Sequence, residues 1–380
     1  MRFIAGILAA VLVCVASATS VVQNAPNLDK ALVWHDPSPH TVQFIGVDKD
    51  VKLEVLDWGG SGRPVVLLSG LGDTAHVFDD FAPKLTSQYH VYGITRRGFG
   101  ASSGPVPVNE NYSADRLGDD VLAVLDALRL ERPVLVGHSI AGEELSSVGT
   151  RHPERVAGLI YLDAGNGYAF YDRARGYFSI DVDELQRKLQ RLQENPPDPR
   201  PLMQDLSENE LPVFERDLQE RQKNYGPHWA PNPSPSPADL VSFPAYTAWI
   251  KRAYGLPDPE AELRQEFESN PDGSLGKPTT PESVLQAVRA GERKYTNISV
   301  PILDIYVAPH DLSPIFKDDR AALAAAEARD VADAVPQAKA FESGVPSAHM
   351  VRLVHASHYV FMSNEADVLR EMRAFIGSLP

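Results

Sequence analysis

Ser139 stands in a small-residue turn, Gly137-His138-Ser139-Ile140-Ala141-Gly142, that follows the apolar run Val134-Leu135-Val136 and opens a helical pattern. A serine hydroxyl is a poor nucleophile unless an imidazole takes its proton and a carboxylate holds that imidazole in the right tautomer. His358 follows an expected strand at residues 349–354, and Asp311 follows one at residues 300–307. Asp163, which ends a strand at residues 156–162, is the other candidate carboxylate. If these strands run parallel in one sheet, the three loops meet at its C-terminal edge, where ligands of open α/β sheets bind. Asp311 is the favoured acid, because the turn Ala308-Pro309-His310-Asp311 is long enough to swing a side chain toward the His358 loop. Asp163 follows its strand directly and is better placed to brace the segment after it. His138, His310 and His355 are assigned to packing or pairing, with His138 alone in a position to contact a substrate.

The connection at Ser139 is tight enough to force a strained backbone, which only small neighbours tolerate. Gly137 and Ala141 meet that need. The turn also leaves the N–H of Ile140 at a helix N-terminus, aimed where an oxyanion would form.

The elements around the turn alternate. Residues 41–47 and 51–58 read as an antiparallel hairpin, followed by strands at 64–68, 89–94, 134–136 and 156–162. Helices fall between them, one of them at 114–128 with Ser113 as its cap. Such alternation calls for a mostly parallel, doubly wound sheet. It breaks between about residues 165 and 297, where helical patterns (182–192, 281–293) and two Pro-rich connectors appear but no convincing strand. The alternation resumes with strands at 300–307 and 349–354 and helices at about 318–335 and 365–376.

At the elbow residues the chain resembles the α/β-hydrolase family, whose Gly-x-Ser-x-Gly motif reads Gly137-His138-Ser139-Ile140-Ala141 here, with alanine at the second glycine. Arg96-Arg97-Gly98-Phe99-Gly100-Ala101-Ser102 is similar to the family's Arg-Gly-x-Gly-x-Ser turn. The order Ser139, Asp311, His358 is also the family's. The resemblance implies a second oxyanion donor, the N–H of Leu71 in Ser69-Gly70-Leu71-Gly72, although family members often carry histidine where Ser69 stands. It also places a lid where residues 164–297 lie. Aromatic residues of that segment, among them Tyr168, Phe170, Tyr171, Tyr177, Phe178, Phe214, Trp229, Phe243, Tyr246 and Trp249, either line an apolar pocket or pack the lid's own core.

Composition sets the remaining bounds. With 380 residues, 43% of them hydrophobic, the chain can bury a large core. A net charge of −15 argues against nucleic acid and anionic membrane surfaces as partners. Residues 1–18 carry Arg2, an apolar run at 3–15 and Ala16-Ser17-Ala18, the pattern of a secretory signal peptide cleaved before Thr19. The apolar run is shorter than the roughly 20 residues that a membrane span requires. The one cysteine, Cys14, lies in this leader. The eleven histidines include no His-Glu-x-x-His spacing, and Gly98-x-Gly100 lacks a third glycine, so neither a catalytic metal nor a nucleotide is expected.

The expected protein is therefore an exported serine hydrolase, secreted or periplasmic, with a core at 19–163 and 298–380 and a helical cap at 164–297. Ser139, His358 and Asp311 would be its triad, and Ile140 and Leu71 its oxyanion donors. It would need no cofactor and would act on small-molecule carboxylic esters, with amides, lactones and carbon–carbon bonds as alternatives. The expected acid could change to Asp163, and an inert binding module on the same scaffold is the rival from another class.

Overall fold

The computed structural model describes residues 34–224, 233–317 and 319–380. The expected signal peptide, its cleavage before Thr19, and Trp229 lie outside the described residues. An eight-stranded sheet comprises β1 (Thr41–Asp48), β2 (Val51–Gly59), β3 (Pro64–Leu68), β4 (His90–Ile94), β5 (Val134–His138), β6 (Gly158–Leu162), β9 (Ile302–Val307) and β10 (Ala348–Leu353). A separate pair, β7 (Phe267–Ser269) and β8 (Leu275–Pro278), is antiparallel. The large sheet runs in the order β1-β2-β4-β3-β5-β6-β9-β10. The pairs β1–β2 and β2–β4 are antiparallel and the others parallel, which is the mostly parallel sheet expected from the alternation.

Both faces of this sheet are covered, and single strands show it. In β3, Val66 and Leu68 join the cluster built with the helices Ala114–Ala127 and Gly142–Arg151, while Val65 and Leu67 join the opposite cluster with Phe78, Phe361 and Met372. Side chains alternate along a strand, so a continuous apolar run is what a sheet covered on both sides requires. Ser113 caps its helix as expected, accepting from the Arg116 N–H.

Two expectations are corrected. The segment between β6 and β9 carries the helices Phe178–Gln193, Leu211–Asn224, Phe243–Tyr254, Glu260–Glu266 and Glu282–Ala290, but also the hairpin β7–β8. Strands of three and four residues are too short to display an alternating pattern, and Gly273, with φ of +84°, makes their turn. The last long helix also does not stop before Pro336 but runs from Arg320 to Gly344. Proline inside a helix removes a hydrogen bond and crowds the preceding turn. Here the next turns are held down by Phe341, fully buried, stacked on Phe170 at 5.3 Å and edge-on to Tyr161 at 5.3 Å.

The aromatics of the inserted segment mostly pack. Phe243, Tyr246 and Trp249 form a local core with Leu263, and Tyr168, Phe170 and Tyr171 belong to the main core. Among the described residues, no helix is long and apolar enough to cross a membrane.

Candidate active site

Ser139 begins the 3-10 turn Ser139–Ala141 at the end of β5 with φ of +54°, in the left-handed region that non-glycine residues rarely adopt. Conformations of this kind cost on the order of 1–3 kcal/mol and persist where the surrounding structure enforces them. The enforcement comes from close packing. A Cβ on Gly142 would lie 2.2 Å from the Ala164 carbonyl oxygen, and one on Gly137 would press on Leu145 at 3.0 Å. The backbone approach that demands glycine therefore falls one residue after Ala141, so alanine is accommodated at the motif's last position.

His358 lies in the loop after β10 and is brought to the elbow by the residue before the serine. The His138 ring lies 4.7 Å from the His358 ring, and its Nε2–H donates to the His358 carbonyl oxygen at 3.1 Å. His358 Nδ1 faces Asp163 Oδ2 at 2.5 Å, while its Nε2 is buried without a hydrogen-bond partner. Burial, the main influence, together with the neighbouring His138 and His310, holds the His358 imidazole below its ordinary pKa despite the opposing pull of Asp163. A neutral ring donating from Nδ1 leaves a lone pair on Nε2, which is the form a general base must have.

The carboxylate at His358 is Asp163, not Asp311. Asp163 directly follows β6 with φ of +48°, and its Oδ1 accepts the Val307 N–H at 3.0 Å. Its Oδ2 accepts from His358 and also faces His310 Nε2 at 2.7 Å. Burial alone would raise the Asp163 pKa, but the two imidazoles outweigh it and hold the carboxyl well below the usual carboxylate range. Asp311 is exposed, and its Oδ1 accepts from the Ser313 N–H at 3.0 Å and from the Ser313 hydroxyl at 2.5 Å. The loop does reach the His358 turn, as the Asp311 N–H to Ala356 carbonyl bond of 2.8 Å shows. Consecutive residues of extended chain point to opposite sides. His310, bridged to Ala356, therefore takes the inward place and Asp311 the outward one.

His310 is thus a member of the site that the sequence reading left to packing. Its Nδ1 faces Asp330 Oδ2 at 2.8 Å, and its backbone N–H donates to the same oxygen at 2.6 Å. Burial would lower its pKa, but Asp163 and Asp330 on either side push it up to about 10. His310 is therefore an imidazolium at neutral pH. Although Asp163, His310 and His358 bring ligand-type atoms within 4.8 Å of one another, the Asp163 oxygen and both His310 nitrogens are already engaged in this hydrogen-bonded chain. His355, with φ of +53°, anchors its loop by donating its N–H to the Pro309 carbonyl at 2.7 Å.

The two expected oxyanion donors are buried, Ile140 inside the elbow turn and Leu71 in the loop after β3. That loop is clamped by Arg96. Its Nη1 and Nη2 donate to the carbonyls of Gly70 and Ser69 at 3.0 and 2.9 Å, and its Nε donates to Glu144 in the helix after the elbow at 2.5 Å. One guanidinium thus ties the Leu71 loop to the Ser139 helix. Arg97, the next residue, makes a bidentate pair with Asp120. Ser69 donates its hydroxyl to the Asp73 carbonyl at 3.0 Å, closing the loop on itself. The signal for Arg96 was present in the Arg-rich turn after β4, but its partners come from two distant segments.

The family model described as alpha/beta hydrolase fold matches residues 63–365. A fluoroacetate dehalogenase from Burkholderia sp is 34% identical over 127 residues, covering 32% of this chain and 42% of that protein. Epoxide hydrolase A of Mycobacterium tuberculosis is 35% identical over 114 residues, covering 30% of this chain and 35% of that protein. The chain spans less than half the length of these curated relatives. Among solved structures, that of E-2-(acetamidomethylene)succinate hydrolase superposes with a TM-score of 0.54 at 16% identity, over 89% of this chain and 100% of that one. An epoxide hydrolase from Vigna radiata superposes with a TM-score of 0.55 at 15% identity, over 90% and 99%. At such identities the likeness concerns the fold. The family match runs from just before β3 to the first residue of the closing helix, taking in the elbow, the Arg96 turn and both loops that frame His358, and the chain belongs to the alpha/beta hydrolase family.

Proposed function

We propose that this protein is a serine hydrolase acting on carboxylic esters, with Ser139 as nucleophile, His358 as general base and acid, and Asp163 as the orienting carboxylate. The observation that carries the reading is the Asp163–His358 Nδ1 contact of 2.5 Å, which leaves a buried Nε2 without a partner on a ring that His138, the residue before the elbow serine, holds at 4.7 Å. Ser139 Oγ attacks the ester carbonyl carbon as His358 Nε2 takes its proton. The oxygen of the tetrahedral intermediate receives the N–H groups of Ile140 and Leu71, each such donor contributing about 3 kcal/mol. His358 then protonates the departing alcohol, and the acyl group stays on Ser139. Water activated by His358 releases the acid and restores the serine. The cycle needs no cofactor.

A serine at the elbow supports acyl transfer, and the positive charge of His310 keeps Asp163 ionised through the cycle. The leader at residues 1–18 supports export, with the working chain beginning at Thr19. N-terminal sequencing of exported material checks this, and retention of Met1 in that material refutes it.

A fluorophosphonate probe tests the chemistry. Stoichiometric labelling at Ser139, together with turnover in a panel of esters of varied acyl length, is the expected result. A chain that neither labels nor turns over any ester or amide would be a binding module instead. Faster turnover of amides than of matched esters would move the substrate class.

A further inference from the structure

A second group of titratable side chains lies away from His358 and plays no part in that chemistry. It joins the segment leading into β1 to the 3-10 turn Ala75–Phe78: Asp36 and His40 come from the first, His76 and Asp79 from the second. One ligand-type atom from each of the four lies within 4.8 Å of the others. The side chains of His40, His76 and Asp79 are 4–5% exposed, and that of Asp36 is 23% exposed at the rim.

The atoms are arranged in two tiers. Asp79 Oδ1 accepts from Trp58 Nε1 at 3.1 Å and faces His40 Nδ1 at 2.9 Å, and Asp36 Oδ1 accepts from the Ser38 N–H at 2.9 Å. Those contacts leave Asp36 Oδ2, Asp79 Oδ2, His40 Nε2 and His76 Nδ1 as the inner set. Within it, His76 Nδ1 hydrogen-bonds to Asp79 Oδ2 at 3.1 Å and lies 3.3 Å from Asp36 Oδ2, and His40 Nε2 lies 3.6 Å from Asp36 Oδ2. A separation of 3.6 Å is too long for a hydrogen bond. All three distances are close to the edge of a tetrahedron around a zinc ion, about 3.4 Å for bonds of 2.0–2.1 Å. Against the lowering effect of burial, Asp79 and Glu54 push the His76 pKa up to about 10, so a metal ion here takes the place of the proton on Nδ1. The remaining contacts are those that metal ligands ordinarily receive from their surroundings. His40 presents its other ring nitrogen to a carboxylate oxygen, and His76 Nε2 faces Gln265 Nε2 at 3.4 Å and Glu54 Oε1 at 3.6 Å.

We propose that Asp36 Oδ2, His40 Nε2, His76 Nδ1 and Asp79 Oδ2 form a structural site for one tetrahedral divalent cation, zinc in chemical class, pinning the leading segment to the core. All four positions are taken by protein atoms, so the site is closed to substrate and its role is stability. Its place matters to the active site indirectly, because the clamped turn follows Thr74. The Thr74 N–H donates to Glu262 of the inserted segment at 2.6 Å, three residues after Leu71.

The full chain, purified without chelator, is expected to carry one zinc per molecule by elemental analysis. It should lose thermal stability on treatment with a strong chelator and regain it with added Zn²⁺. Substituted Co²⁺ should show the intense visible bands of tetrahedral coordination. Asp36→Asn, at the rim and outside the core, should abolish cobalt binding, whereas Ser139→Ala and Asp163→Asn should bind as the unaltered chain does. Absence of zinc, combined with no tetrahedral cobalt spectrum in the unaltered chain, overturns the site. So does binding that survives Asp36→Asn and disappears in Asp163→Asn, which would place the ion at His310 and His358.

Discussion

Among the described residues lie two assemblies of two histidines and two aspartates, and their stray atoms end up differently. From the helix Arg320–Gly344 through the loops after β9, β6 and β10, the chain Asp330–His310–Asp163–His358 uses its donors and acceptors pair by pair, until one buried atom, His358 Nε2, is left over. Around Asp36, His40, His76 and Asp79, one atom of each side chain turns to a neighbour, Ser38, Trp58, Glu54 or, between His40 and Asp79, each other, and the other four lie close together. The first arrangement suits moving a proton, because a single unmatched lone pair is a base. The second suits holding a cation, the His76 proton or a metal ion in its place, because lone pairs facing one point repel unless a positive charge sits among them. Residue types alone do not separate the two roles; the arrangement of their atoms, in a line or around one point, does.

The comparison breaks most sharply at Ser139. Ser139→Ala should lower turnover by about 10⁴-fold or more and abolish fluorophosphonate labelling, with the melting temperature nearly unchanged, as esterase assays and calorimetry would read. Asp163→Asn comes next. The asparagine keeps an oxygen for the Val307 N–H but no longer fixes the His358 tautomer, so turnover should fall by about 10³- to 10⁴-fold. Asp311→Asn, at a solvent-facing carboxylate bonded to Ser313, should stay within about twofold. The reverse ranking of those two variants on one ester would return the acid role to Asp311.

In the other assembly, chelation should leave chemistry at Ser139 largely intact and act on stability. A ligand at 100 times its dissociation constant stabilises by about 2.7 kcal/mol, which calorimetry resolves as a shift of several degrees.

The smallest effects belong to pH. Turnover requires neutral His358 and is lost as pH falls through its pKa. Because that pKa is lowered, the acid limb of kcat/KM should lie below about 6.5. His310→Gln removes a cation that lowers it, so the limb should move to higher pH. His310 also contributes stability, since its folded pKa is raised to about 10. That contribution is full below about 6.5, declines as pH rises and is gone once pH passes about 10. His310→Gln should lack this alkaline decline, as melting curves of the two proteins across that range would show.

Much of the scaffold was legible because its signals are local. Apolar runs of five or six residues, the Ser113 cap, and glycine and alanine around Ser139 each report on a few neighbours in the chain, and the elements they indicate are present. The hairpin β7–β8 was missed because its strands are shorter than one readable repeat. The helix through Pro336 was cut short because the packing of Phe341 comes from residues far away in sequence. Those are failures of range.

What the sequence determined by itself about this protein is the serine at its turn, the histidine after the last strand, and the order of strands and helices that brings both to one edge. Only the tertiary structure decided which carboxylate meets the histidine. His310 and Asp311 are adjacent, one must face inward and the other out, and the β9–β10 pairing that carries their loop alongside Ala356 turns the imidazole in. Asp163 is left as the inward acid at the end of β6. The same holds for Asp36, His40, His76 and Asp79, four residues from two segments with no motif spacing between them. Their convergence depends on how the leading segment folds back onto the core, a contact that nothing in either segment's local pattern specifies.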